Sequence, residues 1–277
     1  MKEASRSFTL GKTLLNVSHV DHRYADQIVL RDVNFEIRDI IRPDTTTGQV
    51  VALLGPSGMG KSTLFRILAG LQEPTEGRVE VGVDAKPVEA GMVGVVFQNY
   101  QLFEHRTVFG NLVVAARRSC RSRRDAIKRS SEMLKRFGLE QFGPRYPVQL
   151  SGGQRQRVAI AQQFVCSQHF LLMDEPFSGL DPLAIESVCE LITEVANLDE
   201  LNTIIVVTHN IEAALQVADT VLIMGRDRDR AGMPVPGARI QETVDLISAG
   251  LAWRRGLNST PEFVEVERRI RERFRTL

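Results

Sequence analysis

Cysteine is scarce in this chain. There are three, Cys120, Cys166 and Cys189, and none forms a CxxC pair. So small and scattered a set excludes a disulfide framework and reads as free thiols in a reducing compartment. Long apolar runs are missing too, since none reaches the roughly 18 to 20 residues that a bilayer-spanning helix needs. The first residues lack the apolar core of a signal peptide. No single sign of charge dominates: 35 Lys+Arg against 34 Asp+Glu leave a formal net charge of +1. No strong field therefore points to nucleic acid or to an acidic partner. Internal repeats and low-complexity tracts are also absent. The expectation is a cytoplasmic protein; if it acts at a membrane, another chain must supply the span. What the 277 residues do hold is 43% hydrophobic and 25% charged, the balance of a globular chain with one large domain, alone or with a small subdomain.

Short branched apolar runs alternate with longer amphipathic segments. Val50–Gly55 (VVALLG), Val93–Gln98 (VGVVFQ), His169–Glu175 (HFLLMDE) and Thr203–His209 (TIIVVTH) read as buried strands of a parallel sheet. Helical patterns follow over Lys61–Leu71 and Ile211–Val217, and this alternation predicts an α/β fold with helices flanking the sheet. From Thr13 to Glu36 the pattern predicts antiparallel strands ahead of the main sheet. Residues from about 99 to 161 are mostly helical and polar and read as an inserted helical subdomain. Ile40–Gly48 (IIRPDTTTG) reads as a loop, and Gly225–Ala238 (GRDRDRAGMPVPGA), charged and then Pro/Gly-rich, as irregular. Thr260, Pro261 and Glu262 carry the N-cap, first-turn proline and acidic residue of a helix start. Phe263, Val266, Ile270 and Phe274 then recur at helical spacing, so this helix either docks on the core or binds a partner. The expected division is a domain over 13–230, with 99–161 inserted, and a C-terminal extension over 231–277.

Gly55-Pro56-Ser57-Gly58-Met59-Gly60-Lys61-Ser62, followed by Thr63, fits GxxxxGK[ST] between a predicted strand and a predicted helix. The glycines let successive N–H groups curl inward, and the helix N-terminus adds positive potential. Lys61 is then placed to reach terminal phosphates and Ser62 to ligate Mg²⁺. The strand in FLLMDE delivers Asp174 and Glu175 to the sheet edge where ligands bind in open α/β sheets. Asp174 suits Mg²⁺, and Glu175 suits orienting and deprotonating an attacking water. His209 ends a strand on the same edge, where it would contact a γ-phosphate, and Gln98 ends another, where its amide would touch Mg²⁺ and the water. Tyr24 would stack on an adenine ring, although spacing alone makes it no better than a surface aromatic. A second glycine-rich stretch, Leu150–Val158 (LSGGQRQRV), is either another phosphate site or a polar turn before a helix over Gln154–Phe164.

These motifs stand in one order: the phosphate loop, Gln98, LSGGQ at Leu150–Gln154, LLMDEP at Leu171–Pro176, SGLD at Ser178–Asp181, and His209. In this the chain resembles the nucleotide-binding ATPase subunits of ATP-binding cassette transporters, over roughly Leu14 to Gly225. The resemblance implies a P-loop NTPase core with ATP and Mg²⁺ as cofactors. It also implies a head-to-tail dimer, in which Ser151, Gly152, Gly153 and Gln154 of one subunit cap the γ-phosphate held by Lys61 of the other. Asp181 would link the two sites, and Tyr24 would be the adenine-stacking aromatic. Tyr24 lies further ahead of the phosphate loop than in relatives, an excess that the Ile40–Gly48 loop accounts for. Ala161–Phe164 reads AQQF where relatives commonly read ARAL, past the phosphate-contacting residues.

Subunits of this form work as two copies under two membrane-spanning permease chains, on the cytoplasmic face of the inner membrane. The short linker, the compact helical subdomain and LFEHRTVFGNL resemble the importer branch, which adds a separate solute-binding protein and no nucleic acid. Tyr100, Leu102, Phe103 and Phe109 either form an apolar surface for the permease or pack inside the helical subdomain. The arginines Arg117, Arg118, Arg121, Arg123 and Arg124 either face lipid headgroups or nucleic acid or form a solvated helix face, and the solvated face is the preferred reading. For cargo, the tail resembles the nitrate, sulfonate and bicarbonate group, and the Gln98 region the polar amino-acid importers. The competing class is a soluble ATPase of the same superfamily in translation or DNA repair. A single motif set and the lack of a sustained heptad run argue against it. A non-catalytic ATP-sensing module would need a damaged site, and Lys61, Asp174, Glu175 and His209 are all present.

Overall fold

A computed structural model describes residues 8–41, 48–166, 170–197, 203–252, 256 and 260–277. Its strands are β1 (Thr9–Tyr24), β2 (Gln27–Ile41), β3 (Gln49–Leu54), β4 (Glu76–Val81), β5 (Lys86–Pro87), β6 (Gly94–Val96), β7 (Phe170–Asp174), β8 (Thr203–Thr208), β9 (Thr220–Arg228) and β10 (Pro234–Asp245). They form one sheet in the order β5-β4-β1-β2-β10-β9-β3-β8-β7-β6. The stretch β9-β3-β8-β7-β6 is parallel, and every residue of β3 and β8 is buried. Burial on both faces is why these strands read as continuous branched apolar runs. β1 and β2 pair antiparallel, as the N-terminal alternation predicts, and β4 and β5, which it did not predict, extend this antiparallel part.

The helices are α1 (Lys61–Leu68), α2 (Val108–Ala116), α3 (Arg123–Arg136), α4 (Gly152–Cys166), α5 (Pro182–Ala196), α6 (Ile211–Val217) and α7 (Pro261–Phe274). Strand parity sorts them. Phe170, Leu172, Ile205 and Val207 face a core shared with α1 residues Leu64, Phe65, Ile67 and Leu68. Their neighbours Leu171, Met173, Ile204 and Val206 face the opposite core, built with α2, α3, α4 and α5. Successive strand side chains point to opposite faces, so α1 and α4 lie on opposite sides of the sheet. The helix expected over Lys61–Leu71 stops at Leu68. Gly70, at φ +67°, donates its N–H to Ile67 O (3.0 Å), while Leu71 N donates to Arg66 O (2.9 Å). That double bond is a Schellman stop, which a left-handed glycine makes possible.

The structure corrects one expectation outright. Gly225–Ala238 is not irregular, because it contains the end of β9, a turn closed by Asp229 N donating to Met233 O (2.9 Å), and the start of β10. β10 lies between β9, antiparallel, and β2, which it meets at Ala238 opposite Leu30. Pro234 is tolerated as the first residue of the strand, where its missing N–H costs little. Gly237 stands at φ +83° inside a register shift, and a Cβ there would lie 2.8 Å from Ile28 Cγ2. The Pro/Gly composition therefore marks an irregularity in the pairing of β10 with β9, packed close to β2, rather than a loop. The boundary expected after residue 230 falls in this hairpin turn, within one sheet.

The start of α7 follows expectation: Thr260 Oγ1 accepts from Phe263 N (3.4 Å), and Phe263 and Ile270 are buried. They join Leu215 of α6 and Leu54 of β3, so this helix docks on the core. Of the loop of Ile40–Gly48, residues 42–47 lie outside the described residues, as does His169 ahead of β7.

Candidate functional site

The phosphate-loop glycines are required by space as well as by conformation. A Cβ on Gly55 would stand 2.7 Å from Met224 O of β9, and one on Gly60 would stand 2.7 Å from Val29 Cγ1 of β2. Gly58 and Gly60 adopt φ +82° and +79°, where a side chain strains the backbone. Gly60 also caps α1 and supplies no side-chain acceptor. The first N–H groups of α1 are thus offered to an external anion at the positive end of the helix. Ser57, Gly58 and Ser62 are exposed, Pro56 is half-buried, and Thr63 and Lys61 are buried. Lys61 curls over the loop, donating from Nζ to Gly55 O (2.7 Å) and Pro56 O (3.1 Å).

Asp174 and Glu175 leave the C-terminal end of β7 beside this lysine. Lys61 Nζ lies 3.9 Å from Glu175 Oε1. Burial lowers the affinity of the Lys61 ammonium for its proton, and Glu175 and Asp174 pull it back. Burial also pushes the Asp174 carboxyl above its usual range; the Glu175 charge adds to this, and Lys61 and Arg66 oppose it. Such a carboxylate, short of compensating charge, suits a divalent cation, and the hydroxyl of Ser62 is a fitting neighbour ligand.

Glu175 has φ +47°, left-handed for a residue with a side chain, which costs on the order of 1 kcal/mol. Its N–H donates to Val207 O (2.8 Å), so the turn is pinned to β8. The Oε2 atom accepts from Thr208 Oγ1 (3.1 Å), and His209 Nδ1 lies 2.9 Å away. Parallel register brings this about, because Asp174 stands opposite Val207 and the residues that follow each strand meet. His209 itself is about half exposed and faces outward. Val96 pairs with Met173, which sets exposed Gln98 at the level of Glu175. Tyr24, at the end of β1, is 45% exposed. Its hydroxyl donates to Gln72 Oε1 (3.0 Å), and hydrogen bonds with Thr63 and Gln72 hold the phenol below its usual pKa. Tyr24 thus stands beside the first turn of α1.

The signature residues are elsewhere. Ser151 Oγ accepts from Gln154 N (3.3 Å), and Gln154 Oε1 accepts from Ser151 N (3.0 Å), a reciprocal cap for α4. Ser151, Gly152 and Gly153 are exposed, and nothing lies within 4 Å of a Cβ built on either glycine. The helix that it opens, α4, packs on the face of the sheet opposite α1. Asp181 caps α5, its Oδ1 accepting from Ala184 N (3.0 Å).

Two residues at the site escaped sequence reading. Thr208 is buried and binds Glu175, and Gln72 touches both Tyr24 and, from its Nε2, His22 Nε2 at 2.6 Å. The only trace of Thr208 in the sequence is a hydroxyl one place before His209. Gln72 carries no trace at all, because its partners lie some fifty residues away in the chain. Of the apolar run after Gln98, Tyr100, Leu102 and Phe109 pack against the helical core, and Tyr100 donates its hydroxyl to Pro176 O (3.1 Å). Phe103, at 44% exposure, is the member of the four that stays mainly outside.

The family model described as "ABC transporter" matches residues 39–178. The "Sulfate/thiosulfate import ATP-binding protein CysA" of Synechocystis sp. is 38% identical over 216 residues, covering 76% of this chain and 58% of that protein. The same-named protein of Mesostigma viride is 37% identical, with 61% of its own length covered, so the chain spans about three fifths of these relatives. The "Probable amino-acid import ATP-binding protein YxeO" of Bacillus subtilis is 36% identical over 222 residues, covering 76% of this chain and 85% of that protein. Among solved structures, cbiO1 of Clostridium perfringens, part of the ABC transporter complex cbiONQ, superposes with a TM-score of 0.71. It is 27% identical in sequence, with 94% of this chain and 99% of that chain covered.

Proposed function

This chain belongs to the ABC transporter family of ATP-binding proteins, and on that premise we propose that it hydrolyses ATP to drive import of a small solute through membrane-spanning partner chains. The convergence of Lys61, Asp174, Glu175 and His209 on one sheet edge carries this reading. Lys61 leaves its two loop carbonyls for the β- and γ-phosphates, and the N–H groups of Gly58–Thr63 wrap the same oxygens. Ser62, Asp174 and Gln98 would hold Mg²⁺, which would supply positive charge to offset the negative charge of the β- and γ-phosphates. Glu175, anchored by Thr208 and close to His209, takes the proton of the attacking water. His209 touches the γ-phosphate, and Tyr24 stacks on the adenine.

Half of the site comes from a second, identical copy. Ser151, Gly152, Gly153 and Gln154 form an anion-ready helix start with no phosphate of its own to hold, and Asp181 lies at the head of the next helix along. In a head-to-tail pair each signature closes the other chain's site, which makes ATP the bridge between them. Ser151→Arg is expected to abolish ATP-dependent pairing while the monomer binds ATP as before. Size-exclusion chromatography with and without ATP reads this, and a normal ATP-dimer in the variant would remove the signature from the interface.

No described helix is long and apolar enough to cross a membrane, which suits an ATPase held at the cytoplasmic face by a permease. The cargo is a small solute. Relatives are named for sulfate/thiosulfate and for amino acids. The ATP site does not touch the cargo, so its residues do not choose between them. We read 231–277 as an extension that packs on the cassette through β10 and α7. The decisive experiment is to purify tagged Glu175→Gln protein from its own cells in mild detergent with ATP. A multi-span membrane protein should accompany it in fixed ratio; ribosomes, DNA or a soluble dimer alone would replace transport with a soluble ATPase role.

A further inference from the structure

Two turns leave neighbouring strands at the site, and one side chain joins them. β6 ends at Val96, opposite Met173 of β7. The chain then turns back, with Tyr100 N donating to Phe97 O (3.0 Å) and the exposed Gln98 and Asn99 at the centre of the turn. On the next strand a second turn follows Asp174. There Ser178 N donates to Glu175 O (3.1 Å), with the buried Pro176 and Phe177 at its centre. The Tyr100 hydroxyl crosses from the first turn to the second and donates to Pro176 O at 3.1 Å.

This bond is built into the interior. The Tyr100 ring packs against the helical core that also holds Phe177. Burial pushes the phenol up to about 12, so the hydroxyl keeps its proton and goes on donating throughout the neutral range. Pro176 is buried as well, where a carbonyl left without a donor is costly.

The backbone at both turns is strained. Tyr100 stands at φ +43° and Glu175 at φ +47°, left-handed in each case. For a bulky residue that is an outlier, and it persists only where the surroundings over-determine it. At Tyr100 the buried ring and the hydroxyl bond do so. A relaxed backbone at this position would re-aim the turn that Tyr100 closes, and Gln98 with it. We propose that Tyr100 is a positioning residue for hydrolysis: its hydroxyl ties the Gln98 turn to the Glu175 turn and fixes where the Gln98 amide stands beside the two carboxylates. It acts through Gln98 and not on the nucleotide itself. The proposal rests on the reading of Gln98 as a contact of Mg²⁺ and the attacking water.

Tyr100→Phe tests it, because the variant keeps the ring in the core and loses only the hydroxyl. The full chain is assayed at saturating ATP, well below the melting temperature of each variant, beside Gln98→Ala and the double variant. In Tyr100→Phe, kcat should fall about three- to tenfold, the effect of one hydrogen bond, while ATP affinity stays at the parent value. The Mg²⁺ concentration for half-maximal turnover should rise, as it should in Gln98→Ala. Once Gln98 is gone, adding Tyr100→Phe should slow the enzyme no further, because both changes remove the same contact. A merely structural tyrosine would lower the melting temperature, and its effect on turnover would multiply with that of Gln98→Ala. That product, or parent-like turnover in Tyr100→Phe beside a slow Gln98→Ala, would overturn the proposal alone. Parent-like turnover in Gln98→Ala would instead remove the reading of Gln98, and the proposal with it.

Discussion

Glu175→Gln is expected to bind ATP as tightly as the parent chain and to hydrolyse it about 10²- to 10⁴-fold more slowly, the usual contribution of a general base. The substitution is nearly isosteric. Thr208 Oγ1 can still donate to the remaining carbonyl oxygen, as it does to Oε2 at 3.1 Å. The turn fixed by Glu175 N donating to Val207 O is a backbone feature and survives. What disappears is the basic oxygen, together with one negative charge close to Lys61 and Asp174. Losing that charge relieves the repulsion that helps raise the Asp174 carboxyl, so Mg²⁺ and ATP binding have no reason to fall. Phosphate release measured beside nucleotide affinity separates the two effects. Near-normal turnover would remove Glu175 from the role of base. A pre-hydrolytic dimer that outlives the ATP chase would be the corollary of success.

Lys61→Ala should act on the other quantity. ATP affinity is expected to fall by about ten- to a hundredfold or more, as a charge-assisted contact to phosphate is lost. Hydrolysis then becomes undetectable at ordinary nucleotide concentrations. The structure adds a complication that the variant must be checked for. Lys61 is the cation 3.9 Å from Glu175 Oε1 and one of the two that oppose the raised pKa of Asp174. Without it the two carboxylates share a partly buried edge with Arg66 alone to offset Asp174, so the melting temperature should drop as well. Lys61→Arg distinguishes the causes. It keeps the charge, and with it the stability, but the planar fork does not reproduce a lysine that bends back to two carbonyls of its own loop. A Lys61→Ala chain with unchanged nucleotide affinity would refute the phosphate-loop role.

Much of this was legible in the chain because the informative features are local. GPSGMGKST states its own geometry: Gly58 and Gly60 where φ is positive, and a lysine at the first turn of a helix. The strands β3, β7 and β8 announce themselves because burial on both faces demands unbroken apolar residues. The start of α7 is written in Thr260 and Pro261. The hairpin of β9 and β10 was not legible, since its charges and Pro/Gly pattern describe a loop until β2 is placed beside them. Neither were Thr208 and Gln72, whose partners are brought by sheet register and by packing rather than by neighbours in sequence.

By itself the sequence determined the kind of chemistry, because phosphate cradle, carboxylate pair and signature each lie within a few consecutive residues. Only the tertiary structure decided where those pieces stand. Strand parity puts α1 and α4 on opposite faces of one sheet. Parallel register sets Glu175 against Thr208 and His209. Local motifs are fixed by short-range sterics and hydrogen bonding; their mutual placement is fixed by which faces the whole chain must bury.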